Sequence, residues 1–450
     1  MFHCRPDSRR RVKLAVAALS LVALALLWPA PLRAGKKKAE APAPIPLGQQ
    51  RTKAYFDISK IVWPNPPAIP RIAFQDIFTG QKIDPDLFTQ KARKKNWMDR
   101  LAGTQTADEI KMDNLPYQLT RTYGVGVDSK GAIYAADQSV GAVFIFDTEK
   151  KGHVELIGHG IQANFGLIVG VALDDDDSLF LTDAKLHRVL KFNSKREAVS
   201  SFGADELIRP GGIAIDRENR FIYVVDSGND VVDVFDADKL TFLRRIGKPS
   251  TKHDQTEPGA FSLPECVAVD KQGNVYVTDT FNNRIEIFDA DGKFISTFGK
   301  NGDGPVSLER PKGIAVDCDG HIWVVDAAQN LVKVFDQNGR LLIYFGGQGY
   351  YPGQFMGPWG VAIDQRNRVI VSETFPGRVQ VFRYVTDAEA AAEKARRESG
   401  ESKPGASPVS SGKDTSATPA AGVTPERKTP APEASQAKPE LPASGYSAAR

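Results

Sequence analysis

The chain has 450 residues and a mass of 49.1 kDa, enough that part of it must bury a sizeable core. Hydrophobic residues at 41% and charged residues at 25% are ordinary for a soluble fold, and the formal net charge is only +3. Residues 1–34 and 35–110 each carry an excess of +5 and residues 386–450 balance, which leaves residues 111–385 at −7 and excludes a large basic face for nucleic acid.

The chain opens like an export signal. Arg5, Arg9, Arg10, Arg11 and Lys13 precede an apolar run from Leu14 to Trp28, broken only by Ser20, and Ala34 offers a small residue for cleavage. Fifteen residues at a rise of ~1.5 Å span about 22 Å, short of the ~30 Å hydrocarbon core. Residues 1–34 are therefore expected to be a signal peptide, with a retained anchor as the alternative. Membrane association follows only if the segment stays. The arginine run also loosely resembles a twin-arginine signal. An extracytoplasmic, periplasmic location is the expectation.

Residues 35–69 read as linker and lead-in, poor in patterned apolar residues. Next, Pro70-Arg-Ile-Ala-Phe-Gln-Asp-Ile-Phe-Thr-Gly80 reads as a strand ending on an aromatic and a glycine. A helical insertion follows at about 84–102. Asp84 and Asp86 stand in its first turn, Leu87, Phe88, Trp97, Met98 and Leu101 lie on one side, and Lys91 and Lys94 flank that stripe. Three readings of it stay open: a basic cap complementing carboxylates at a binding face, a helix docked on the rim for packing, and an interfacial membrane helix.

From residue 111 the chain repeats itself. Six segments begin with an apolar run ending in Asp128, Asp174, Asp216, Asp270, Asp317 and Asp364, spaced 46, 42, 54, 47 and 47 residues apart. Each continues through a turn, a second run such as Val275-Tyr-Val-Thr-Asp279, another turn and an alternating run such as Ile285-Glu-Ile-Phe288. Five close on an aromatic or Ile before Gly, as at Phe298-Gly299. Four strands at this period make a propeller blade. The sixth unit lacks its fourth strand, because after Val385 the chain turns to helix formers. Residues 70–80 carry the missing pattern, and using them would remove two open sheet edges. The expected fold is all-β: a six-bladed β-propeller over 70–385 of four-stranded blades, its last blade closed by an N-terminal strand. Residues 386–450 are expected to be a short helix and then a disordered tail.

Gly353-Gln354-Phe355-Met356-Gly357-Pro358-Trp359-Gly360-Val-Ala-Ile-Asp364 resembles the linker and inner strand of NHL repeats, and Val277-Thr-Asp279-Thr-Phe-Asn-Asn-Arg284-Ile-Glu-Ile-Phe288 resembles their second and third strands. Val62-Trp-Pro-Asn-Pro-Pro-Ala-Ile-Pro-Arg71 is similar to a lead-in of exported bacterial members. The resemblance implies a six-bladed ring used mainly for binding, with a minority of relatives acting as metal-dependent lyases or hydrolases.

Chemistry-bearing residues are sparse. Asp137, Asp183, Asp226, Asp279, Asp326 and Glu373 end the second strands and would form an acidic ring, read as structural turn acceptors. Arg188, Arg284 and Arg378 are expected to pair with them at the surface, where such pairs add little stability. Amidating lyases of this resemblance hold zinc through histidines near the inner strands. The corresponding lead-ins here carry Tyr123, Val169, Gly211, Glu265, Lys312 and Trp359. His153, His159, His187, His253 and His321 show no zinc spacing. Cys266 and Cys318 are expected to stay unpaired, and the chain contains no Cys-x-x-Cys-His. No catalytic residue, metal or cofactor is assigned.

The functional expectation is a non-catalytic scaffold in the cell envelope, with a protein or peptide as partner. Its contacts are placed at Arg209, Arg310, Lys312, Trp359, Phe281 and Phe375, since Trp and Arg dominate interface energies. The second reading is an amidating-lyase-like metal enzyme working at the central channel. A glycan-binding module is the third.

Overall fold

The computed structural model describes residues 57–82, 116–150, 152–158, 165–250 and 257–399. The export signal at 1–34, the insertion at 84–102, His159, His253 and the tail from Gly400 lie outside the described residues. The chain divides into two units, Met1–Ala391 and Ala392–Arg450. Within the second, residues 392–399 are helical, and Glu393 pairs with Arg396 and Arg397.

The first unit is a six-bladed β-propeller. Blade 1 runs through Thr122–Val127, Ile133–Asp137, Ala142–Phe146 and Val154–Ile157, each antiparallel to the last. Blades 2 to 5 repeat the plan from inner strands Ile168–Leu173, Pro210–Asp216, Pro264–Val269 and Pro311–Val316. Blade 6 has Pro358–Ile363, Arg368–Glu373 and Arg378–Tyr384, and its fourth strand is Ile72–Phe78 from the other end of the sequence. Ile72 stands opposite Tyr384 and Phe74 opposite Phe382, so the ring closes as the repeat required. The pattern did not foretell the two-residue strand Val62–Trp63, which pairs outside the closing strand and covers its edge. The Trp63 ring lies 5.4 Å from Phe345 and 5.9 Å from Phe382, in the seam between blades 5 and 6.

The core lies between the blades. Each seam holds one apolar cluster, as where Val125, Ile133 and Phe144 of blade 1 meet Ile370, Val379 and Val381 of blade 6. The aromatic ending each third strand packs on one from the preceding connection or outer strand, as Phe235 on Phe202 at 5.1 Å and Phe382 on Phe345 at 4.9 Å. Around the axis the inner strands approach backbone to backbone. A Cβ on Gly124 would sit 2.3 Å from the Val169 carbonyl oxygen, and one on Gly313 2.5 Å from that of Trp359. Glycine is the residue that allows this approach.

A second regularity has half the frequency of the blades. The residue before the last position of the second strand is a hydroxyl in blades 2, 4 and 6 (Thr182, Thr278, Ser372) and apolar in blades 1, 3 and 5 (Ala136, Val225, Val325). The three hydroxyls accept hydrogen bonds from the inner-strand amides of Gly170, Cys266 and Gly360. Thr182 and Ser372 also donate to carbonyls of the next blade, Gly211 and Tyr123. The ring thus has an underlying threefold character.

Candidate functional site at the channel mouth

Each inner strand begins with a register shift that inserts one extra residue, between Thr122 and Val125 in blade 1 and at the equivalent place in every other blade. Such bulges re-aim a side chain. Here they hold Tyr123, Val169, Gly211, Glu265, Lys312 and Trp359, which together surround one mouth of the channel. The mouth is lopsided, because blades 2 and 3 contribute small groups and the others large ones. Lys312 Nζ lies 3.1 Å from Glu265 and 5.8 Å from the centre of the Trp359 ring, whose far neighbour is Tyr123 at 5.2 Å. Trp359 is only 4% exposed, and its Nε1 has no partner among the described residues. Behind this layer the glycine-lined neck encloses a cavity of about 50 Å³.

The six second-strand carboxylates do not form an open acidic ring. All are fully buried. Asp137 accepts the Thr120 and Arg121 amides at 2.7 Å each, Asp183 those of Gly166 and Leu167, and Asp226 those of Ile208 and Arg209. Asp326 accepts from Glu309 and Arg310, Asp279 from Ser262, and Glu373 from Met356. They are internal staples that fix each incoming lead-in. A basic helix therefore finds no exposed carboxylate ring to complement at this mouth.

The cations expected beside them at the surface are buried as well. Arg284 reaches Asp279 at 2.9 Å and Arg378 reaches Glu373 at 2.6 Å, with both arginine side chains at most 6% exposed. In blade 5 the partner of Asp326 is Lys333, at 2.9 Å and fully buried. Arg188 makes no such pair, and its buried Nε has no partner among the described residues. Burial pushes the Asp279 and Glu373 carboxyls up, against the downward pull of their arginines. Glu286, also buried beside Arg284, is pushed up to about 7 by desolvation.

The expected partner contacts divide. Arg209 and Arg310 are exposed, and Phe281 and Phe375 stand 52% and 56% exposed on turns after the second strands. Lys312 is half-buried and committed to Glu265. Trp359 is corrected outright: it is core packing at the neck, held between Tyr123 and Lys312, and offers little surface. The sequence reading missed Arg121, Leu167 and Ile208, which are exposed on the same rim. Aligning the lead-ins on the amides that bind the carboxylates brings Arg121 into line with Arg209 and Arg310.

The residues present do not fit a histidine-held zinc at this mouth. The bulge ring supplies one carboxylate, already paired with a lysine, and no imidazole. Among the described residues no group of three or more His, Cys, Asp or Glu side chains is placed to hold a metal ion. Cys266 is buried, Cys318 is exposed, and both are free thiols.

The model of the SMP-30/gluconolactonase/LRE-like region matches residues 189–299, and that of the NHL repeat matches residues 308–335. NHL repeat-containing protein 3 of Mus musculus is 27% identical over 199 residues, 40% of this chain and 54% of that protein. The probable peptidyl-alpha-hydroxyglycine alpha-amidating lyase pgal-1 of Caenorhabditis elegans is 29% identical over 103 residues, 23% of this chain and 29% of that protein. The chain thus spans about half, or less, of the length of these curated relatives. Among solved structures, virginiamycin B lyase from Staphylococcus aureus is similar with a TM-score of 0.44 and 14% identity, covering 59% of this chain and 96% of that one.

Proposed function

This chain is a six-bladed β-propeller of NHL-type repeats, and from that premise we propose that it is an exported binding scaffold that docks a protein or peptide in the cell envelope on its channel-mouth face. The observation that carries the reading is the makeup of that face. Its six second-strand carboxylates are consumed internally, largely by backbone amides, while arginines and the aromatic rings of Phe281 and Phe375 are left to solvent. Exposed aromatics and arginines on a rigid frame are the side chains that carry interface energy. Export rests on the basic and apolar pattern of residues 1–34.

The test is site-specific photo-crosslinking in intact cells. A photoreactive residue at 281 or 375 should trap one protein in the envelope fraction, and the same group at exposed Ile295 on an outer strand should not. Equal trapping at 295, or a chain confined to the cytosol, would contradict the proposal.

The likeness to the amidating lyase favours a second, catalytic reading. Metal analysis separates the two: zinc or calcium held stoichiometrically through dialysis would support the enzyme, and a metal-free protein that still traps its partner would support the scaffold.

A further inference from the structure

The rim of the mouth repeats with the threefold character of the core. At the lead-in position where blades 1, 3 and 5 carry Arg121, Arg209 and Arg310, blades 2, 4 and 6 carry Leu167, Leu263 and Gly357; the Leu167 amide also binds its blade's buried carboxylate, while those of Leu263 and Gly357 go to Asp230 and Asn330. The three arginines are fixed alike. Each donates its own amide to the carboxylate (Asp137, Asp226, Asp326), and each carbonyl accepts the amide after the second strand, from Gln138, Ser227 and Ala327. Three equivalent backbone positions, two blades apart around a closed ring, thus present guanidinium groups to solvent. None of the three side chains has a hydrogen-bond or ion-pair partner among the described residues, although Glu309 neighbours Arg310 in sequence. Between them stand exposed apolar groups: Leu167 on blade 2, Phe281 on blade 4 and Phe375 on blade 6. Going round the rim, cation and apolar group alternate, with exposed Ile208 beside Arg209 adding a further apolar group on blade 3.

We infer that this rim recognises an acidic peptide segment in which Asp or Glu residues are interspersed with large apolar ones, the arginines taking the carboxylates and Leu167, Phe281 and Phe375 the apolar side chains. The inference rests on the docking face proposed above and adds the chemistry of its partner. Guanidinium binds carboxylate in a two-pronged geometry that lysine lacks. With no ion-pair partner among the described residues to give up, these arginines also meet a ligand directly. The alternation favours a peptide over a sulfated glycan, which would match the cations and leave three apolar groups uncovered.

The probe is a fluorescein-labelled 12-residue peptide alternating Asp or Glu with Leu and Phe, measured by anisotropy against the full chain. The acidic peptide should bind, and more weakly as salt rises. Each of Arg121→Ser, Arg209→Ser and Arg310→Ser should weaken it by about 3-fold, and the triple variant by about 30-fold, as for separated, partly solvated charge pairs. The triple variant should melt at the parent temperature, which excludes misfolding as the cause. Unchanged affinity in the triple variant overturns the inference, as does a sulfated oligosaccharide of equal charge that binds more tightly. A peptide with Lys and Arg in place of the acids separates the two levels. If it binds instead, and Phe281→Ser/Phe375→Ser abolishes that binding, the docking face stands and the acidic assignment falls. If neither peptide binds, both fall.

Discussion

The two ends of the propeller channel use the same residue types in opposite ways. On the face away from the mouth, arginines are structural ties between blades. Arg220 grips Asp174 with two bonds at 3.0 and 2.9 Å from blade 3 to blade 2, and Arg217 meets Asp175 at 3.1 Å across the same seam. Arg368 binds Asp364 at 2.6 Å and the Gly131 carbonyl of blade 1 at 2.7 Å. A vestibule of about 530 Å³ opens there, larger than the neck at the mouth, yet Asp216 and Asp270 on its wall are already bonded to Asn219 and to Tyr276 and Asn274. At the mouth the six second-strand carboxylates are withdrawn into the frame, and the rim arginines have no partner among the described residues. On the proposed reading, unspent hydrogen-bonding capacity rather than volume marks the binding end.

The largest expected effect comes from breaking a buried staple. Arg284→Ala leaves Asp279 and Glu286 without their cation and should cost about 3–5 kcal/mol in chemical denaturation. Removing the opposite-face ties through Arg217→Ser/Arg220→Ser/Arg368→Ser should cost less, about 2–3 kcal/mol in total, because Arg217 and Arg220 keep more than a third of their side chains in solvent.

A smaller effect depends on pH. His321 on the opposite face lies 3.1 Å from Asp317 and 3.0 Å from the Tyr384 hydroxyl, with Asp319 and Asp387 also nearby. Its hydrogen bond to Asp317 raises its pKa above the ordinary 6.5 despite partial burial. The stabilisation is complete below the unfolded value and is lost as pH rises through the folded one. The parent should therefore lose about 2 °C more in melting temperature than His321→Gln between about pH 6 and pH 8. Equal slopes for the two proteins would remove His321 from the set of ties. Smallest of all, substituting the mouth arginines should change stability by less than about 0.5 kcal/mol.

The architecture was legible because a repeat announces itself many times over. Six Asp-terminated runs set the blade number, and the missing fourth strand of the last unit pointed to residues 70–80. The outer strand Val62–Trp63 was not legible: two residues among prolines carry no periodicity, and their place follows from the seam that Trp63 fills. The site was half legible. Sequence put Arg209, Arg310, Phe281 and Phe375 on one face. It could not show that the acidic residues there are buried, because a turn-capping Asp and a solvent-facing Asp look alike until their amide donors are known. Trp359 misled for a related reason, since the bulge that carries it turns the ring inward against Tyr123. Arg121 was overlooked because its lead-in lacks the proline that marks the other two.

The account's central claim, that Arg217, Arg220 and Arg368 are structural at one end of the channel and Arg121, Arg209 and Arg310 are reserved for a ligand at the other, is met most directly by paired thermal unfolding. The triple serine variants of the two faces, at 121, 209 and 310 and at 217, 220 and 368, are compared with the parent under one condition. The mouth variant should melt within about 1 °C of the parent, and the opposite-face variant about 4 °C below it. Equal losses from both faces, or the larger loss at the mouth, would contradict it.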